Sequence, residues 1–317
     1  MAPPPPPLLG RSRRRGEQPP DSALDDTELV EVRDQLAQGR WTAVRTLLAR
    51  TGDEWDRRGH RLLVLAEPKG THAWTQDWLL AEPESADAAA LLACAEVQRA
   101  LSGKGSPDRA RKACRTAAQR HPKDPTPWLA LLLLARHLGT EEEVTQLYDQ
   151  VRARHPEHHH AHHLIIARLA ERRPDIGQDP LHEVYDFASW AAEQAPADSP
   201  LAILPVVAHA ERYRVLAVAG QIPPDPELSG HWTGRRARQV MKSAFDWWLE
   251  WEHRKHPRSR IDLNFLAHAK HCEGRTAEAA ALFHRIGPHR TAAPWSYPDR
   301  DPHQAFRAAR AAALGDD

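Results

Sequence analysis

Residues 121–156 read HPKDPTPWLALLLLARHLGTEEEVTQLYDQVRARHP, and this stretch decides the fold. It opens and closes on a His-Pro step, His121-Pro122 and His155-Pro156, with the two prolines 34 residues apart. Between them lie two apolar segments of helical period, divided at Gly139. Trp128, Leu131 and Ala135 mark a face of the first, and Val144, Tyr148 and Val151 a face of the second. Two helices joined by a short turn lie antiparallel. Such a pair cannot bury both of its apolar faces alone, so a period of this size implies stacking on neighbouring pairs.

The same grammar extends in both directions. Apolar segments of period 3.6, punctuated by Pro, Gly and Asp, predict helices over 26–38, 41–50, 54–66, 72–81, 86–101, 107–120, 126–138 and 141–154. They continue over 158–171, 180–194, 200–219, 234–255, 261–272, 276–285 and 303–313, and strand alternation is absent. Gly39, Gly139 and Gly274 each stand where one helix stops and the next begins, the place of a left-handed C-cap. Looser units fit the repeat at Leu92, Ala110, Cys114, Ala117 and Pro122, with an insertion at Ser102 to Pro107. They fit again at Ile165, Ala188, Ala191 and Pro196, with an insertion at Arg173 to Pro180, and at Leu263, Leu266, Ala279 and Phe283. Ala219 to Gly230 is a longer Pro-rich insertion.

The central unit resembles a tetratricopeptide repeat (TPR) at Trp128, Leu131, Tyr148 and Pro156. It departs from that pattern at Leu132, where the family favours glycine, and at Val144, where it favours alanine. The resemblance covers roughly residues 26 to 290. It implies an all-α protein, a right-handed α-solenoid of about seven TPR-like helix pairs with irregular insertions. The domain would span 25–290, after a Pro/Arg-rich disordered tail over 1–24 and before an irregular segment and capping helix over 291–317. Trp128 and Tyr148 would be knobs in the shared core, and Trp128→Ala would cost about 3–5 kcal/mol if the ring is buried. The resemblance further implies a cytoplasmic scaffold or adaptor that holds a partner protein or peptide in its concave groove. The groove positions are His137, His160, His163, Glu171, Glu211, Asn264 and His268. Only Asn264 is of the type that a carboxylate clamp uses.

Composition narrows the alternatives. Lys+Arg and Asp+Glu both number 43, so the formal net charge is zero. This argues against nucleic acid, whose binding draws on a basic excess. No run approaches a membrane span, and the N-terminal order of prolines, two leucines and then arginines is the reverse of a secretory signal. Three cysteines without CxxC spacing suit a reducing cytoplasm. The tail over Pro3 to Pro7 reads as a solvated segment or as a polyproline II ligand.

Chemistry concentrates in His155, His158, His159, His160, His162 and His163. His158/His162 and His159/His163 are i,i+4 pairs, the spacing of zinc-binding helices. His158 and His162 are the metal candidates from spacing, and the repeat register puts His159 and His162 toward packing and His160 and His163 toward the groove. Two ligands fall short of a site, nothing in the sequence names a third, and no cofactor is assigned. His121, His155 and His256, each followed by proline, read as helix ends meeting the negative dipole. Phe245, Trp247, Trp248 and Trp251 form an aromatic stripe, either core or a ligand wall. Residues 294–299 read as a cap over the last repeat or a lid over a pocket. GxSxG, GxGxxG and GxxxxGK[ST] are all missing. The rival to the scaffold is therefore an enzyme, or a metal- or small-ligand-binding helical protein, centred on residues 155–163. A closed polar pocket favours this rival, and an open groove favours the scaffold.

Overall fold

Local signals place the helices of the computed structural model, which describes residues 20–172, 182–251 and 256–315. The first eight are α1 (Thr27–Ala37), α2 (Trp41–Thr51), α3 (Trp55–Leu65), α4 (Thr71–Ala81), α5 (Ala86–Leu101), α6 (Pro107–Arg120), α7 (Thr126–Leu138) and α8 (Glu141–Arg152). Then come α9 (His159–Ala170), α10 (Glu183–Gln194), a 3-10 turn (Pro200–Ile203), α11 (Leu204–Val218) and α12 (Arg235–Trp251). The series ends with α13 (Ser259–Cys272), α14 (Thr276–Ile286) and α15 (Pro302–Leu314). No strand occurs among the described residues. Starts are set by side-chain caps: Asp26, Ser85, Thr140 and Asp301 each accept a backbone N–H from the first turn they precede. The predicted tail over residues 1–19, the insertion over 173–180 and the end of the predicted helix at 252–255 lie outside the described residues.

Consecutive helices pack as pairs, α5 on α6, α7 on α8 and α13 on α14. Alternate helices also pack, in the order α3, α5, α7, α9, α11 and α13, which gives an inner row flanked by partners. That packing is consistent with a helical repeat. One contiguous apolar core runs from Ala23 to Ala313. The row also returns upon itself. Arg260 on α13 donates to Asp25, just before α1, at 2.9 Å across 235 residues. No described helix is long and apolar enough to cross a membrane.

Several details differ from the sequence reading. Trp128 is only partly buried, at the edge of the core, with the Arg154 guanidinium 4.8 Å over its ring. It stands in the first turn of α7, beside the Pro122 turn that Arg154 also grips. Tyr148 is buried as expected. Gly39 and Gly274 have positive φ, but Gly139 is extended at φ −98°. Gly139 is needed for space instead: a Cβ there would lie 2.8 Å from the Ala135 carbonyl oxygen. Residues 20–24, assigned by composition to the tail, form a turn with Ala23 fully buried and Asp21 bonded to Arg33. In the segment after α14, Trp295 and Tyr297 are buried.

Candidate metal centre

The start of α3 gathers the turns that follow other helices. Trp55 meets the His121 ring edge-on at 5.7 Å. Arg58 is held between Asp124 at 2.8 Å and Asp87 at 2.6 Å. Asp56 sits between them, facing the start of α9. One of its oxygens accepts the His159 backbone N–H at 2.9 Å, and the other lies 2.9 Å from His155 Nε2 and 3.6 Å from His256 Nε2. Two of the three His-Pro histidines thus converge on one carboxylate, which revises their reading as simple helix ends. Burial opposes charge on Asp56. The bonds from His155 and His256 and the nearby His158 outweigh it and hold the carboxyl well below the usual range.

One turn into α9, the imidazoles divide. His158 caps the helix, its Nδ1 accepting from the Ala161 N–H, and His162 donates from Nδ1 to the His158 carbonyl at 3.0 Å. Each of the two candidates chosen from spacing therefore has a ring nitrogen committed to backbone. The other i,i+4 pair points to α13. His159 Nε2 lies 2.9 and 3.0 Å from the two Asp262 oxygens, and His163 Nε2 lies 3.5 Å from the nearer one. His159, His163 and Asp262 place one ligand atom each within 4.8 Å of one another. The rings of His159 and His163 are 4.3 Å apart, and His256 covers His159 from the other side at 4.5 Å.

Electrostatics suit ligation. Burial, with the charge of neighbouring histidines and Arg258, pushes His159 well below its ordinary value, and burial first of all takes His163 to about 3. Both imidazoles are neutral at neutral pH, the form that binds metal. In a tetrahedral zinc site with bonds near 2.0–2.2 Å the ligand atoms stand roughly 3.3–3.6 Å apart, close to the 2.9 and 3.5 Å from Asp262 to His159 and His163. Asp56 acts behind this group by fixing the start of α9 through the His159 N–H.

Two cavities flank the triad. The larger, about 800 Å³, is lined by Asp262, His256, Glu157 and the stripe residues Trp247, Trp248 and Trp251. The smaller, about 490 Å³, is lined by His163, His160, His60, Arg258, Glu211 and Tyr297. The tryptophan stripe is therefore a cavity wall, while Met241 and Ala244 on the same helix are buried.

The seven predicted groove residues are dispersed. His160, His163 and Glu211 line the smaller cavity. Glu171 is tied to Arg136 and Arg214 beside it, and His137 is exposed at the end of α7. Asn264 and His268 are fully buried. The Asn264 side chain donates to the His289 carbonyl and accepts from Trp295 Nε1 at 2.7 Å, and His268 is packed between Trp232 and Trp295. Asp56, Asp262 and Arg258 escaped the sequence reading. Asp262 is 103 residues from His159, and no local pattern marks it. No protein-family model matches the chain, and neither does any curated protein.

Proposed function

We propose that this chain is a metal-binding helical protein that holds one divalent transition ion on His159, His163 and Asp262. The observation that carries the reading is the convergence of two neutral, buried imidazoles and a carboxylate from helices 103 residues apart. Two nitrogens and one carboxylate oxygen suit zinc or a neighbouring first-row ion. Three protein ligands leave a coordination position for an exchangeable group, and Asp262 borders the larger cavity, from which such a group would arrive. The helix pairs are read as TPR-like units in a right-handed arc whose interior is filled. Three buried free cysteines support a cytoplasmic location. The scaffold reading needs an open groove. The burial of Asn264, His268 and Glu211 and the contact of Asp25 with Arg260 give it less support.

The test is calorimetric titration of untagged, EDTA-treated protein with Zn²⁺ and Co²⁺. One equivalent should bind, with Asp262→Asn and His163→Ala each weakening affinity at least about tenfold and His158→Asn retaining it. Absence of stoichiometric uptake by folded wild-type protein would overturn the reading.

A further inference from the structure

The smaller cavity carries a feature that the metal does not use. Six polar side-chain atoms from residues lining it are buried without a hydrogen-bond partner: His60 Nε2, Arg136 Nε, His160 Nδ1, His163 Nε2, Arg258 Nε and Arg290 Nε. His163 Nε2 belongs to the proposed ligand triad, and the Arg136 and Arg290 side chains have partners elsewhere, which leaves three. Native interiors hold few such atoms, because each costs about 1–3 kcal/mol when it exchanges water for nothing. All three belong to residues that line one void, and Arg258 among them is charged.

Charge says what kind. The other charged groups lining the cavity are already matched. Asp21 pairs with Arg33, Glu67 takes the Ser22 hydroxyl, Glu211 holds Arg214 and the Tyr297 hydroxyl, and Arg136 pairs with Glu171. Arg290 also has a partner. Arg258 makes no ion pair among the described residues, although its backbone is fixed as the N-cap of α13 with its N–H on His256 Nδ1. Its guanidinium lies in the field of Asp262 and Asp56 without a direct ion pair, and Glu67 is the other lining charge that has none among the described residues. The remaining lining is apolar, with Leu63, Val64, Leu133, Leu164, Ile261 and Phe265. A void near 490 Å³ is within the range that holds small organic molecules.

We infer that this cavity binds a small organic acid, its carboxylate or phosphate head on Arg258 and its apolar body against α3, α9 and α13. A guanidinium meets either head with two parallel N–H donors, and His160 and His60 belong to the same lining. The inference stands apart from the metal, since no triad residue is asked to touch the head.

The experiment is calorimetric titration of EDTA-treated wild-type protein with hexanoate, hexyl phosphate and 1-hexanol. Saturable binding of hexanoate or hexyl phosphate, with hexanol at least tenfold weaker, is the expected result, and the tighter anion identifies the head group. Arg258→Met should weaken the anion at least tenfold, and Asp262→Asn, which disables the proposed metal site, should leave it bound. His160→Phe, which keeps Arg258, should weaken it severalfold if Arg258→Met does not fold. The proposal is overturned if wild-type protein binds neither anion at millimolar concentration, or binds hexanol as well as either. Folded Arg258→Met with unchanged affinity would overturn it too.

Discussion

Trp295→Ala is expected to damage the fold more than Trp128→Ala, the reverse of what the repeat pattern alone implies. Trp295 is 1% exposed and lies in the irregular segment after α14. Its ring meets His268 at 5.2 Å, Phe306 at 5.3 Å and Phe283 at 5.7 Å, which joins α13, α14 and α15. Its Nε1 donates to Asn264 Oδ1, which keeps the Thr291 N–H after truncation and so is not orphaned. The loss is mainly one of packing, about 3–5 kcal/mol for a buried tryptophan. Trp128 lies at the edge of the core with most, but not all, of its surface covered. Its loss, with the stack under Arg154, should therefore fall somewhat below that of the fully buried Trp295, at about 2–4 kcal/mol. Urea unfolding followed by far-ultraviolet circular dichroism reads both, and avoids the fluorescence of eleven tryptophans. If Trp128→Ala costs as much as Trp295→Ala, the terminal segment is an overlay on the core and the packing argument fails.

Arg58→Met should cost about 3–5 kcal/mol, because it strands the fully buried Asp124 carboxylate with only the Thr126 N–H at 2.7 Å. Arg58→Met with Asp124→Asn should recover part of the loss, and equal stability of the single variant and wild type in urea would sink this account. Acid should destabilise the protein early. Burial pushes His209 and His268 to about 3 and His231 to about 4, below the unfolded value near 6.5. The unfolded chain binds more protons between those limits, so this stability is complete above about pH 6.5. Each group then loses ~1.4 kcal/mol per pH unit on the way down to its folded value. A midpoint in urea unchanged from pH 7 to pH 5 would contradict the burial of these three rings.

The helices were legible because their ends are written locally. Pro107 at the start of α6, Ser85 before α5 and the glycines after α1 and α13 act within a turn of themselves, and the predicted and observed bounds agree there. The histidine cluster was legible as a concentration of ligands, but its geometry was not. Spacing offers His158/His162 and His159/His163 equally. The choice falls on the second pair because the capping role of His158 turns the first toward backbone. The third residue of the proposed site was hidden for a different reason. Asp262 looks like any acidic residue in the first turn of a helix, and only the curvature of the helical row brings it to α9. The expected groove assumed open curvature, and in the structure Trp295 and Tyr297 pack against Asn264, His268 and Glu211.

The contact between Asp25 and Arg260 has a consequence during synthesis. An open solenoid can settle unit by unit as it leaves the ribosome, since each repeat leans only on the last. Here the first helices wait for residues that are 235 positions away. At ~5–20 residues per second that delay is roughly 10–50 s, during which Asp25 stands without its Arg260 partner. The row therefore makes its closing contact only after α13 has emerged.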